Sequence, residues 1–376
     1  MMTSIVSEKP QKSRDIRFDI LKAIGLLLII LAHTDPPQNI DLIRQFDVPM
    51  MVIASGTLFY YSSRNKNVDL WDYLRKRIPR LLAPVWLFLT FFFASAYITD
   101  FLTKKPYHFS SQELLFGFLL LDGINYVWII RVFLLIAIVA PFLLKLYRFL
   151  GNETRFAAVI LAIYIFHQVI AIPLLYNWEI PYNWTMWRSK FYMYLIPYSC
   201  LFGLGMTLIE MNKKLMSLIL SGSAIGFLFY SALDYSKAGS NLFNFWYSHK
   251  NEYKFPPSII FILYGILMSM ILYLLVSWVW NNYREWLENH RGIKETIIFI
   301  SSSSLWIYLW HIFFLEYWHR VEYKYPVMQN YLVIFISIAF LATATTYLQK
   351  VLVSKIIKTN QFGQNNSEML AILFLK

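Results

Sequence analysis

The sequence predicts an all-α, polytopic membrane protein with a bundle of about ten transmembrane spans. Of its 376 residues, 58% are hydrophobic and only 15% are charged, whereas soluble globular proteins carry about 25% charged residues. The apolar runs are far longer than the roughly ten-residue strands of a membrane β-barrel. Lysines and arginines cluster between these runs, so the net charge of +12 indicates membrane topology rather than nucleic-acid binding.

The apolar runs give the predicted spans in chain order: 17–34, 46–62, 81–99, 126–147, 156–176, 191–209, 215–233, 257–280, 296–316 and 329–353. The basic, aromatic segment 64–80 predicts a helix on the cytoplasmic membrane surface, 113–121 a short interfacial or re-entrant piece, and 234–256 a long loop. All basic clusters fall on one side if both termini are cytoplasmic. The predicted organisation is therefore a tail at 1–16, a membrane domain at 17–353 and a second tail at 354–376.

The first predicted span carries three polar side chains: Asp19, Lys22 and His33. Lys22 and His33 are eleven residues apart, about three helical turns plus 20°, so both fall on one helix face with a rise of about 16 Å between them. Ionisable side chains inside a membrane usually face a cavity or a partner. The alternative is a snorkelling lysine and a histidine that only joins helices.

Further motifs follow this basic residue and histidine in chain order. They are FDVPMMVIASGTL at 46–58, RIPR at 77–80, YVW at 126–128 and SLWIYLWH at 304–311. Together these segments resemble the integral-membrane acyltransferase-3 family, whose members are mostly bacterial enzymes that O-acylate surface polysaccharides. Two positions depart from the family pattern: Lys22 stands where arginine is usual, and Asp47 where histidine is more usual.

The resemblance implies an O-acetyltransferase, or a transferase of a similar short acyl group, in a bacterial inner membrane. Acetyl-CoA or another acyl-CoA would be the donor substrate, with no bound cofactor, and a hydroxyl of a cell-surface or lipid-linked polysaccharide would be the acceptor. His33 is the predicted base, because histidine titrates near neutral pH. Asp19, the second catalytic candidate, either orients Lys22 or touches the substrate. Three cations are predicted to hold the donor phosphates: Lys22, Arg77 and Arg80.

Four further residues are predicted to bind the acceptor: Arg131, Trp128, Tyr308 and His311. Each basic or aromatic candidate has a structural alternative. Arg131 could instead extend to the membrane surface, Tyr308 and His311 could support the helix packing, and the two arginines at 77 and 80 could be ordinary membrane anchors. Pro79 predicts a bend between those arginines. Gly56 predicts a close helix contact, with a nucleophilic Ser55 as the alternative.

Two rival functions use the same charged residues. A transporter or flippase for a lipid-linked sugar would often show inverted repeats with matching broken spans, and the sequence shows no such symmetry. A non-catalytic membrane subunit that binds CoA or a glycan would keep its function without His33. The spacing of histidines and carboxylates does not predict a metal site.

Overall fold

The structure, a computed structural model, describes residues 15–121, 126–177, 185, 187–238 and 242–374. Its first half contains α1 (Ile16–Ala32), α2 (Gln38–Ile43), α3 (Asp47–Ser63), α4 (Leu70–Leu102), α5 (Ser111–Phe118), α6 (Trp128–Leu150), α7 (Glu153–Phe166) and α8 (Ile172–Asn177). The second half contains α9 (Met193–Thr207), α10 (Lys213–Ala238), α11 (Leu242–Lys254), α12 (Ile259–Asn289), α13 (Arg291–Ser302), α14 (Ser304–His319), α15 (Tyr331–Thr359), α16 (Gln361–Asn365) and α17 (Ser367–Phe374). No strand occurs among the described residues, which confirms the predicted all-α class.

Six helical stretches of the described chain are long and apolar enough to cross a membrane: α4, α6, Glu153–Leu175, Lys213–Ser236, α12 and α15. A seventh arises if α13 and α14, which are bent by 77°, count as one span. Two of the predicted spans, α1 and α3, have 17 residues each, a rise of about 26 Å against a hydrocarbon core of about 30 Å. The total of about ten spans and the cytoplasmic termini stay predictions.

Two segments differ from the sequence-based expectation. Most of the predicted surface helix joins the third span in the 33-residue helix α4, which continues through Pro79 and Pro84, so Arg77 and Arg80 lie within one helix. The bend at Pro79 stays a prediction. Asp69 starts this helix by accepting hydrogen bonds from the amides of Trp71 and Asp72, as an N-cap does. The predicted loop at 234–256 contains α11.

Helices α3 and α9 pack with their backbones in direct contact. A Cβ added at Gly56 would lie 2.0 Å from the carbonyl oxygen of Phe202, and one added at Gly205 would lie 2.0 Å from that of Ile53. Thr57 Oγ1 also donates a hydrogen bond of 2.7 Å to the Gly205 carbonyl. Small residues allow such close helix contacts in membrane proteins, and the packing role predicted for Gly56 is confirmed.

Candidate active site

Two histidines that are 278 positions apart in the sequence form the centre of the site. His33 follows the last residue of α1, and His311 lies on α14. His33 Nδ1 is 3.1 Å from His311 Nε2, and the ring centroids are 5.2 Å apart. His311 is fully buried, with 0% of its surface exposed, while His33 lines a cavity of about 830 Å³, which we term the His33 cavity. His311 therefore lies behind His33 and is its hydrogen-bond partner.

The hydrogen bonds of this pair define which ring nitrogens carry hydrogen. His311 Nδ1 is hydrogen-bonded to the backbone carbonyl of Tyr308. A carbonyl only accepts, so His311 carries its hydrogen on Nδ1, and the neutral ring offers Nε2 as an acceptor. His33 Nδ1 must then donate to His311 Nε2, which leaves His33 Nε2 with a lone pair. The pair thus provides a base at a defined atom.

Two aromatic residues hold the histidine pair in place. The ring of Tyr126 meets the His33 ring edge-on, with centroids 4.7 Å apart. The hydroxyl of Tyr308 donates to the carbonyl of Tyr126. The segments 126–128 and 304–311, which are far apart in the sequence, therefore interlock around His33.

A buried ion-pair network lines the same cavity. Arg44 Nη1 donates to Asp47 Oδ2 at 2.8 Å, and Arg44 Nη2 pairs with Asp41. From α11, Lys250 Nζ pairs with Asp41, and Lys254 Nζ lies 3.8 Å from Asp47 Oδ1. Sequence analysis did not select any of these as site residues. The spacing of Asp41, Arg44 and Asp47, three residues apart with alternating charge, was the available local signal.

Lys254 is a second enclosed cation of this network, beside the buried Arg44. It is 9% exposed and lies outside the helices that qualify as membrane spans. Burial lowers the pKa of Lys254, and Asp47 opposes this effect, but the pKa remains below its ordinary value. Its ammonium also lies 5.8 Å from the ring centroid of Trp128, within the range of a cation–π contact.

A second site, which we term the Lys22 cavity, gathers the three predicted donor-binding cations. It has two adjoining chambers of about 260 Å³ each, and both are lined by Lys22, Ser55, Arg77 and Phe133. Arg80 lines the first chamber. No Asp or Glu is among the described residues that line either chamber, so the cavity is strongly basic.

The two cavities share a wall. Ile29, Ile129 and Tyr308 line both the His33 cavity and the first chamber of the Lys22 cavity. Tyr308 also belongs to the hydrogen-bond system of the histidine pair, through its carbonyl and its hydroxyl. The positively charged Lys22 cavity and the His33 cavity, which contains the candidate proton acceptor, thus meet at Tyr308.

The family comparison decides the identity of this arrangement. The family described as an acyltransferase domain, acyltransferase-3, matches residues 15–349. The chain belongs to the acyltransferase-3 family. Comparisons with curated proteins and with solved structures gave no significant match. The matched region contains the histidine pair and the three basic residues of the Lys22 cavity, and with the apolar helices it makes the protein a multi-pass membrane acyltransferase.

Three of the residues predicted to bind the acceptor lie at the His33 cavity of this acyltransferase. Trp128, Arg131 and Tyr308 line the His33 cavity. Arg131 is 3% exposed, so it does not extend to the membrane surface. Its Nη1 donates to the carbonyls of Leu120 and Leu121, at 2.9 and 2.8 Å. Arg131 therefore supports the backbone at the cavity wall.

Asp19 is not brought to His33 in this acyltransferase. It is fully buried and accepts a 2.6 Å hydrogen bond from the hydroxyl of Ser301. Fourteen residues of helix separate Asp19 from His33, about 21 Å along the axis of α1. Of its two predicted roles, this position fits orientation of Lys22, one turn further along the same helix.

Proposed function

We propose that the protein is an O-acetyltransferase, or a transferase of a similar short acyl group, that uses both cavities in one reaction. Acyl-CoA binds with its phosphates in the Lys22 cavity, and the acceptor hydroxyl binds in the His33 cavity. The observation that carries this proposal is the shared wall at Tyr308, which joins a basic pocket to a histidine with a defined lone pair.

The donor side is supported by charge. CoA carries several phosphate charges, and the Lys22 cavity offers Lys22, Arg77 and Arg80 without a lining carboxylate among the described residues. Arginine binds phosphate through two parallel hydrogen bonds, and lysine acts as a point charge. The rise of about 16 Å from Lys22 to His33 is comparable to the reach of an extended pantetheine arm, so the thioester can approach His33.

The reaction follows from the hydrogen positions of the pair. His33 Nε2 takes the proton of the acceptor hydroxyl while the oxygen attacks the thioester carbonyl. The carbon–sulfur bond then breaks, and the CoA thiolate takes the proton back from His33 Nε2. His311 Nε2 accepts the His33 Nδ1 hydrogen throughout, which keeps the ring oriented.

The acceptor side is supported by shape. We propose a hydroxyl of a cell-surface or lipid-linked polysaccharide, with the protein in a bacterial inner membrane. An apolar groove of about 420 Å³ adjoins the His33 cavity, because Gln45 and Lys250 line both. Its walls are rich in aromatic side chains, among them Phe227, Trp246 and Tyr264. Such a groove suits the apolar chain of a lipid-linked acceptor.

The first experiment measures transfer and hydrolysis of radiolabelled acetyl-CoA by the purified protein in nanodiscs. His33→Ala is expected to lower kcat by about 10²- to 10⁴-fold, the usual contribution of a general base, while CoA binding persists. His290→Ala, at an exposed histidine after α12, is the matched control and should behave as the wild type. An active His33→Ala variant would remove His33 as the base, and a wild type that neither binds nor consumes acetyl-CoA would contradict the proposed donor.

The role of His311 is tested by two substitutions at one position. His311→Leu removes the acceptor of the His33 Nδ1 hydrogen, so we expect kcat to fall by about 10- to 100-fold, the loss seen when the hydrogen-bond partner of a metal-bound histidine is removed. His311→Gln restores an acceptor and should recover part of the rate. Equal rates for the two variants would show that the hydrogen bond does not matter.

A further inference from the structure

The C-terminal helix α17 folds back onto the membrane domain. Trp306 Nε1 on α14 donates a 3.0 Å hydrogen bond to the carbonyl of Leu373. The rings of Trp306 and Phe374 stack with centroids 5.7 Å apart and an interplanar angle of 16°. Leu370 is buried at 9% exposure. These contacts hold α17 in a fixed position against the helix that carries the histidine partner.

The turn before α17 depends on a glycine. A Cβ at Gly363 would lie 2.2 Å from the carbonyl oxygen of Ile356, so α16 packs directly on the backbone of α15. A side chain at this position would push the segment away. The close contact at Gly363 therefore fixes the path by which the chain folds back after α15.

One residue of this helix reaches the basic site. Ala371 lines the Lys22 cavity together with Lys22, Arg77 and Arg80. The region that matches the acyltransferase-3 family ends at residue 349, so α17 lies beyond it. A wall of the donor pocket is thus supplied by a segment outside the family match.

We infer that α17 is part of the donor-binding site and that Ala371 sets the space available to acyl-CoA in the Lys22 cavity. This inference rests on the proposed function, because it takes the Lys22 cavity as the donor pocket. A small side chain at 371 leaves room beside the three cations, and a large one would occupy the same space. The chemistry of the reaction at His33 does not involve α17, so its contribution is to donor affinity.

The test compares two tryptophan substitutions on the same helix. Ala371→Trp fills the cavity, whereas Met369→Trp changes a residue that is already 47% exposed. With acetyl-CoA as the varied substrate, Ala371→Trp is expected to raise KM at least tenfold and to change kcat less than twofold. Met369→Trp should leave both values unchanged. Direct binding of CoA to nanodisc-embedded protein should weaken by the same factor for Ala371→Trp only.

The outcomes separate this inference from the proposed function. If the wild type consumes acetyl-CoA and the two tryptophan variants share its KM and CoA affinity, the inference about α17 is wrong and the donor assignment stands. A loss of kcat with unchanged KM in Ala371→Trp would also overturn it. If the wild type neither binds nor consumes acetyl-CoA, the proposed function fails first. Ala371→Leu, with a side chain of intermediate size, should raise KM less than Ala371→Trp, and an equal or larger increase would overturn the inference that the size of the side chain at 371 sets the donor space.

Discussion

The Lys22 cavity and the His33 cavity hold their charges in different ways. Around His33, the side chains of Arg44, Asp41 and Asp47 are only 8%, 5% and 1% exposed and form paired contacts. Around Lys22, the cations Arg77 and Arg80 belong to an exposed stretch of α4, and the described lining contains no carboxylate. One cavity has acidic and basic groups arranged in advance, and the other has an excess of positive charge.

This difference matches the two substrates that we propose. An acceptor glycan offers many hydroxyls, and a fixed set of ionic donors and acceptors can orient one of them without rearrangement. A CoA donor brings its own negative charge, so a cavity lined by several cations raises its local concentration and its affinity. We therefore term the His33 cavity the orienting cavity and the Lys22 cavity the attracting cavity. Substitutions in the first should lower stability, and substitutions in the second should weaken donor binding.

The largest expected effect comes from helix α3, which lines the His33 cavity through Asp47 and Val48 in its first turn and the Lys22 cavity through Met51 and Ser55 further along the helix. Gly56→Ala would place a methyl group 2.0 Å from the Phe202 carbonyl oxygen. No rotamer change relieves a clash with backbone, so we expect a loss of about 3 kcal/mol of stability, at the upper end of the usual cost of overpacking, and loss of both donor binding and turnover.

Gly222→Ala on α10 is the matched control, because nothing lies within 4 Å of its added Cβ. Thermal unfolding in detergent, followed by acetyl-CoA turnover at low temperature, compares the two variants. A Gly56→Ala protein as stable as the control would show that α3 and α9 can separate freely, and that α3 does not fix the two cavities relative to each other.

The next effect tests the orienting cavity. Arg44→Leu leaves Asp41 and Asp47 without their shared partner. Breaking a buried pair costs about 3–5 kcal/mol, and we expect about 3 kcal/mol because Lys250 and Lys254 still face the two carboxylates. Thermal unfolding is the measurement.

Arg291→Leu is the control for this substitution, since Arg291 pairs with Glu295 at 86% side-chain exposure and exposed pairs contribute about 0–1 kcal/mol. Equal losses of stability in Arg44→Leu and Arg291→Leu would mean that the ion pairs around His33 contribute no more than exposed ion pairs do. It would also remove the distinction between the two cavities on which the comparison depends.

The attracting cavity should respond in affinity rather than in stability. Arg77→Ala would remove the proposed charge-assisted hydrogen bond to a donor phosphate, and such bonds contribute about 1.5–3 kcal/mol. We therefore expect KM for acetyl-CoA to rise by about 10- to 100-fold with little change in unfolding temperature. Arg75→Ala, on the same helix but outside the lining of the cavity, should leave KM unchanged. A similar KM increase in both variants would point to general surface charge instead of a site.

Part of this site was predictable from the sequence. The resemblance of the motifs to the acyltransferase-3 family was enough to propose Lys22, Arg77 and Arg80 as a basic donor pocket, and the structure brings all three to one cavity. Trp128 and Tyr308 were also selected, and they line the His33 cavity. These residues lie in motifs whose order along the chain matches a family, so their grouping did not require knowledge of the fold.

The remaining features depend on contacts between distant segments. His33 and His311 are 278 positions apart, and periodicity within one helix cannot show that they meet. The pairing of Lys250 with Asp41 also needs α11, in a segment that was predicted to be a loop. That segment is helical where Trp246 packs on Phe227, with ring centroids 5.6 Å apart, because tertiary packing supplies most helix stability.

The smallest effect concerns the acid stability of the orienting cavity. Burial raises the pKa of Asp41, but Arg44 and Lys250 lower it by more, so the pKa lies below its ordinary value. A carboxylate with a lowered pKa contributes stability above its unfolded pKa of about 3.9, and this contribution is lost as the pH falls through the folded value. Wild type should therefore be more stable than Asp41→Asn near neutral pH, with the difference shrinking below about pH 4.

Thermal unfolding of both proteins between neutral pH and about pH 3 measures this difference. Glu295→Gln, at a carboxylate with 62% exposure, should differ little from wild type at any pH, because exposed pairs contribute little. A gap between wild type and Asp41→Asn that stays constant into the acid range would mean that Asp41 stabilises the fold by its shape and hydrogen bonds. If the difference in stability between wild type and Asp41→Asn disappears in acid, the charge of Asp41 is what stabilises the fold. Ionic pairing then stabilises the cavity around His33.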